Sequence, residues 1–196
     1  MKKLWIAIPI VVLLCSPLIV QAQDKSVDAE QQKAMEAYMK MGAVTENHEF
    51  MKNFTGMWEV QTTAWMAPGQ PPAITQNACQ ADLRFGGRYL AMSFQGTMFG
   101  QPFEGLQIIG YDNLQKKYTI FWIDNTSTIF YLSSGTREGN VISESGSWPD
   151  PLTGEQVPVK AKTTLISADE FLFEQFMVMP DGKEFKSMEN RCQRKK

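Results

Sequence analysis

The chain predicts an all-β fold, an up-and-down antiparallel barrel of about ten strands preceded by one or two short helices. Three observations lead there. Residues 86–124 read GGRYLAMSFQGTMFGQPFEGLQIIGYDNLQKKYTIFWID. Aromatic and β-branched runs alternate in that stretch with Gly, Asn and Pro punctuation, as in strands joined by hairpins. The same rhythm continues to the C-terminus, at roughly 8–12 residues per strand and turn, with no crossover helix between strands. Every connection is short, so sequence neighbours should pair in space. A sheet of that many strands tends to curl, and closure removes both exposed edges. A two-sheet sandwich is the alternative solution.

The elements follow in order. Residues 23–28 are polar and read as loose chain. Residues 29–41, AEQQKAMEAYMKM, are dense in helix formers, and Met35, Tyr38 and Met39 make an apolar stripe at helical spacing. A second short helix is expected over 45–54. Thr45 is its N-cap, Glu46 and Glu49 lie in the first turn, and Phe50, Met51 and Phe54 share one side. Strands are expected over 57–66, 74–85, 88–97, 102–111, 118–124, 128–134, 141–148, 157–167, 170–179 and 184–193. Their connectors carry turn residues: Phe99-Gly100, Asp112-Asn113, Gly139-Asn140, the Asp150–Gly154 run and Asp181-Gly182.

The first 22 residues have the layout of an export signal. Lys2 and Lys3 form a basic start, residues 4–14 an apolar run, and Val20 and Ala22 occupy the −3 and −1 positions before Gln23. The apolar run is short for a membrane span and is interrupted by Pro9 and Pro17. Cleavage after Ala22 is the expectation, with the mature chain in the periplasm or released. Lipidation at Cys15 is the weaker alternative, because Leu14 stands where a small residue is needed. Residues 23–45 then form a polar segment and helix, and 46–196 the barrel domain. No transmembrane span is expected in the mature chain.

Cleavage would remove two of the 19 basic residues and none of the 21 acidic ones, leaving an excess of four acids. That balance argues against a nucleic-acid partner. A hydrophobic fraction of 43% is enough to bury a core. Cys79 and Cys192 stay in the mature chain, one in an early strand and one near the end of the last. First and last strands are neighbours in a closed barrel, and export favours a Cys79–Cys192 disulfide over two free thiols.

Strand alternation assigns candidate inward residues. Trp58, Tyr111, Trp122, Phe173 and Met177 would supply apolar walls for a small ligand, if they do not simply pack as core. Charged residues embedded in apolar runs are the sharper signal: Arg88, Glu104, Asp124, Glu174 and Glu189. Buried charges need partners, so these either brace the barrel or face solvent. As ligand contacts, Arg88 would anchor an anionic head group, with carboxylates such as Glu104 and Asp124 orienting it. His48 is the one histidine and is placed near the barrel mouth, where helix capping is its expected role. No GxSxG, CxxC, GxGxxG or P-loop pattern occurs, and no His/Cys cluster suggests a metal. Neither a cofactor nor a metal is expected.

Several segments together resemble the bacterial domain-of-unknown-function family 1579 over about residues 48–194. They are FTGMWEV at 54–60, GGRYL at 86–90, GTMFGQPFEGLQIIGYDN at 96–113, KKYTIFWIDNTST at 116–128, DPLTGE at 150–155 and MPDGKEFKSME at 179–189. The resemblance implies a calycin-type barrel, similar in plan to lipocalins and fatty-acid-binding proteins, and implies no activity. The chain departs from the family pattern in VPVKAKTT at 157–164, where Lys160 and Lys162 stand in a strand that usually carries an Arg. The cysteines at 79 and 192 are not a family requirement.

The resulting expectation is an exported, non-enzymatic, lipocalin-like barrel that binds a small, mostly apolar or amphipathic molecule. One alternative is a small hydrolase or isomerase using His48 with Asp124 or Glu104. Another is a barrel with a solid core acting through its surface, as a homodimer that covers strands apolar on both faces.

Overall fold

The computed structural model describes residues 17–196, with side chains described from Asp28 onward. The basic and apolar parts of the expected export signal, and Cys15, lie outside the described residues. Helix α1, Pro17–Met41, belongs to one compact unit, and Gly42–Lys196 forms the other. The helix starts well before residue 29 and takes in the 23–28 stretch expected to be loose. The reason is local: after Pro17, which suits a first helical turn, no Gly or Pro occurs until Gly42. Met35, Tyr38 and Met39 are exposed.

The second unit begins with helix α2, Glu46–Phe50, and a 3-10 turn, Met51–Phe54. Ten strands follow: β1 (Gly56–Ala64), β2 (Ala73–Arg84), β3 (Tyr89–Met98), β4 (Gln101–Asp112), β5 (Lys117–Asp124), β6 (Tyr131–Glu138), β7 (Val141–Pro149), β8 (Gln156–Ser167), β9 (Glu170–Val178) and β10 (Glu184–Arg194). Each pairs antiparallel with its sequence neighbours, and β1 pairs with β10, so the sheet is a closed barrel in chain order. The up-and-down topology is therefore as expected, and the sandwich alternative falls.

One strand is displaced from its expected span. Residues 128–130 are a loop, and β6 begins at Tyr131. Side chains account for it. Asp124 accepts hydrogen bonds from the Thr126 amide at 2.8 Å and hydroxyl at 2.6 Å, which turns the chain. Asn125 then exchanges bonds with the edge of β4: its amide donates to the Glu104 carbonyl and its Oδ1 accepts from the Glu104 amide.

Closure gives the barrel two unlike ends. Strands β1, β3, β5, β7 and β9 start at one end, where α2 and its 3-10 turn close the lumen with Phe50, Met51 and Phe54. The packed core lies there: Trp58, Val60, Cys79, Leu90, Tyr118, Ile120 and Cys192 are almost fully buried. Trp58 donates its indole N–H to the Phe54 carbonyl at 2.8 Å, fixing plug to wall. No helix of the described residues is long and apolar enough to cross a membrane.

Cys79 and Cys192 are free thiols, contrary to the expected disulfide. Strand β1 runs between theirs: Cys79 lies opposite Trp58 and Cys192 opposite Val60. Two strand spacings separate the backbones by about 9–10 Å, whereas a disulfide needs Cα atoms within about 7 Å. Burial pushes the Cys79 thiol up to about 12 and that of Cys192 well above its usual value.

Candidate functional site

Above the plug the barrel holds a cavity of about 440 Å³. It reaches from Met51 and Phe54 to Met66, Phe99 and Pro151 in the loops of the other end, where it meets solvent. The walls come from alternate residues of nearly every strand, chiefly Met, Phe, Trp and aliphatic side chains. Among the lining residues only Asp124 and Glu144 carry charge, and no Lys, Arg or His is present.

Small residues make room for large ones in this wall. A Cβ on Gly105 would stand 2.4 Å from the Trp122 indole, so the bare backbone of β4 lets that ring lie against the sheet. The ring is also edge-on to Phe94, with centroids 5.5 Å apart, and stacked on Phe103 at 6.2 Å. Gly146 plays the same part on β7. A Cβ there would come within 2.6 Å of the Leu132 carbonyl and 3.0 Å of the Tyr131 hydroxyl.

Glu144 is the distinctive group. It is 8% exposed and projects inward from β7 between Ile142 and Trp148. No described Lys or Arg forms an ion pair with it. Burial pushes its carboxyl up to about 7, and a poorly aligned hydrogen bond from the Ser133 hydroxyl pulls the other way. Ser133 Oγ and Tyr131 OH are both buried and have no hydrogen-bond partner of normal geometry. Burial, then the Glu144 charge, raises the Tyr131 phenol to about 12.

The residues singled out from sequence distribute as follows. Trp122, Asp124, Phe173 and Met177 line the cavity. Asp124 sits at the end of β5 and also accepts the Trp122 indole N–H at 2.7 Å. Trp58 and Tyr111 lie by the plug and do not line the cavity: Trp58 is sealed in the core, and the Tyr111 ring packs on Tyr118 and His48. Arg88 and Glu104 are exposed and lie outside the cavity. Arg88 follows the 3-10 turn at Phe85–Gly87, where strand alternation no longer applies. It donates to the Gly42 carbonyl at 2.8 Å and the Phe85 carbonyl at 3.1 Å. Glu104 stands on the face of β4 opposite Phe103. Glu174 and Glu189 pair with Lys186, the former at 2.6 Å, on a part-exposed patch outside the cavity.

His48 lies at the plugged end and is 3% exposed. Its Nδ1 accepts from the Thr45 amide at 3.1 Å and the Thr45 hydroxyl at 3.0 Å, the place a Glu fills in a capping box. That leaves the ring proton on Nε2. Burial lowers its pKa below the usual 6.5; a main-chain bond at Tyr111 opposes this, Arg88 reinforces it and Glu49 opposes it. His48 packs on Tyr111, and Glu104 is seven residues away along β4, roughly 20 Å of extended strand. Asp124 is at the far end of β5. The arrangement does not bring His48 to either carboxylate. Among the described residues no cluster of His, Cys, Asp or Glu could hold a metal ion.

Residues 43–194 match the model of DUF1579, described as a protein of unknown function. The chain belongs to the DUF1579 family. No curated protein matches the sequence. Among solved structures the chain is similar to the crystal structure of Rv2717c from M. tuberculosis. That likeness has 14% identity and a TM-score of 0.57, covering 79% of this chain and all of the other. A redesigned β-barrel matches with 17% identity and a TM-score of 0.41, over 74% of this chain and 95% of the design. The Rv2717c likeness is one of fold, and this family member shares its barrel.

The site residues that sequence reading missed are Glu144, Tyr131, Ser133 and Trp148. A signal for Glu144 was present in VISESGSW at 141–148. One parity of that segment is Val141, Ser143, Ser145 and Ser147; the other is Ile142, Glu144, Gly146 and Trp148. A Glu on the apolar parity of a strand whose other face is mostly serine marks an inward carboxylate.

Proposed function

We propose that this DUF1579 member is a non-enzymatic binding protein that takes a small, mostly apolar ligand into the barrel through its unplugged end. The observation that carries the reading is the cavity of about 440 Å³, within the size range of small-molecule sites and lined by aromatic and Met side chains with few polar groups. Trp122, Phe173 and Met177 would be apolar walls, and Asp124 a polar contact near the mouth. The plugged end would serve as the floor. The reading includes export with removal of residues 1–22, supported by the layout of that segment.

The test is native mass spectrometry after incubation with a lipid extract, together with tryptophan fluorescence, since Trp122 and Trp148 border the cavity. Retained mass with a spectral shift supports the reading. A chain that retains nothing, with unchanged emission, overturns it. Export is checked separately: mass spectrometry of the protein isolated from its native host should give an N-terminus at Gln23.

A further inference from the structure

We propose that the preferred ligand is a protonated amine on an apolar body, with the ammonium group seated beside Glu144 in an aromatic corner formed by β5, β6 and β7. This rests on the cavity reading above and names the chemistry of the ligand.

Four observations converge. The first is charge. The cavity wall carries two carboxylates and no cation, so a fatty-acid anion would find no counter-charge there, while an ammonium group would. The second is burial without compensation. Glu144 is more than nine-tenths buried and lacks an ion-pair partner among the described residues, an arrangement that is costly until a cation arrives. The third is the pair of hydroxyls beside the carboxylate. Tyr131 OH and Ser133 Oγ, also more than nine-tenths buried, have no well-formed hydrogen bond, and Ser133 stands close to both Tyr131 and Glu144. An ammonium brings several N–H donors and no acceptor. The fourth is the ring geometry. Tyr131 and Trp148 are tilted together at 5.6 Å, and Trp122 is the register neighbour of Tyr131 on the adjoining strand. Aromatic faces gathered beside a carboxylate suit a cation through their quadrupoles.

The protonation state of Glu144 links binding to pH. Burial pushes its carboxyl up to about 7, and an ammonium neighbour would hold it ionised. The groups around it leave few competitors. Ala161 faces it from β8, Tyr131 is the titratable neighbour on β6, Asp124 lies at the end of β5, and the plug offers Met51 and Phe54. Tyr131 stays neutral throughout this range.

The experiment compares decylamine, decanol and decanoate, which share one apolar tail, by titrating the tryptophan emission of the purified full chain at pH 8. Decylamine should bind at least tenfold more tightly than decanoate, with decanol between. Lowering the pH to 5 should weaken decylamine about tenfold or more as Glu144 takes up a proton, because the amine itself, with a pKa of about 10.4, stays charged. Glu144→Gln should lower decylamine affinity at least tenfold, leave decanol within about twofold and remove the pH dependence. Decanoate binding as tightly as decylamine overturns the proposal. So does undiminished decylamine binding by Glu144→Gln. In both cases retained decanol leaves the cavity reading standing. Failure of all three ligands overturns the cavity reading, and this proposal with it. The wild-type ranking does not depend on the variant folding.

Discussion

At the plugged end, Arg88, Arg137 and Arg194 reach over the strand ends and donate to partners. Arg137 meets Glu46 at 2.9 Å and lies over the Phe50 ring at 4.6 Å. Arg194 donates to the carbonyls of Thr55, Asn53 and Ala168 and lies 4.1 Å over the Trp58 ring. Tyr118 donates to the Asn47 carbonyl at 2.9 Å, and Asn113 to that of Ala43 at 2.7 Å. Around Glu144 the situation differs. Among the described residues no Lys or Arg pairs with Glu144, and the neighbouring Tyr131 and Ser133 hydroxyls have no well-formed hydrogen bond. The same ten strands thus hold one region where polar groups are matched and rings interlock, and one where charge and lone pairs are left over. Buried polar groups without well-formed partners cost stability, so the second region is the less stabilised part of the wall.

The contrast makes a matched pair of tryptophan substitutions the strongest way to break it. Trp58→Ala should cost about 3–5 kcal/mol, because a fully packed ring and its bond to Phe54 are lost. Trp122→Ala should cost clearly less, since that ring borders open space, while ligand retention falls. Urea unfolding of both variants gives the comparison; equal losses would mean that the cavity wall is as tightly packed as the core.

Next in size is the effect of the unpartnered carboxyl. Its folded pKa of about 7 lies above the ordinary 4.5. The folded chain therefore holds a proton that the unfolded chain has released between those values. Stability from this source is complete below about pH 4.5 and is lost as pH rises through 7. The loss is on the order of 3 kcal/mol. Glu144→Gln should remove it, so the variant should exceed the wild type in urea midpoint at pH 8 and converge with it near pH 4.5. A variant less stable than wild type at pH 8 would mean that Glu144 already has a satisfied site.

His48 sharpens the other side of the comparison with a smaller change. Its pKa is lowered in the folded chain, so the stability it brings is present above the unfolded value near 6.5 and lost as pH falls toward the folded value. His48→Ala should cost about 1–2 kcal/mol at pH 8, when its bonds to Thr45 are removed. The cost should shrink in acid, measured by thermal melts across that range. Smallest of all is Lys186→Ala. Its bonds to Glu174 and Glu189 are part-exposed, so the change should stay within about 1 kcal/mol in urea and leave ligand binding untouched.

The barrel was legible because its information is local. Turn residues such as Phe99-Gly100 and Gly139-Asn140 fall where hairpins need them, and short connections leave a meander as the simple topology. The site was legible only in part, because alternation gives the face of a residue but not its height along the barrel. Trp58 and Trp122 share the inward parity, yet one is walled off by the plug and the other borders the cavity. Parity also fails outside strands, which is how Arg88 was misplaced. Glu104 was misjudged differently, since its face is opposite that of Phe103 and the choice of inward face is fixed only by closure. The disulfide failed on counting strands: β1 intervenes between β2 and β10.

A sealed thiol gives the molecule an internal clock. Cys79 and Cys192 flank the strand that carries Trp58, but Cys192 borders the cavity, whereas Cys79 is fully buried and lies outside it. The alkylation rate of Cys79 in native buffer therefore counts how often the plugged floor opens. A ligand that fills the lumen should slow the clock if floor and mouth breathe as one body, and leave it running unchanged if they move apart.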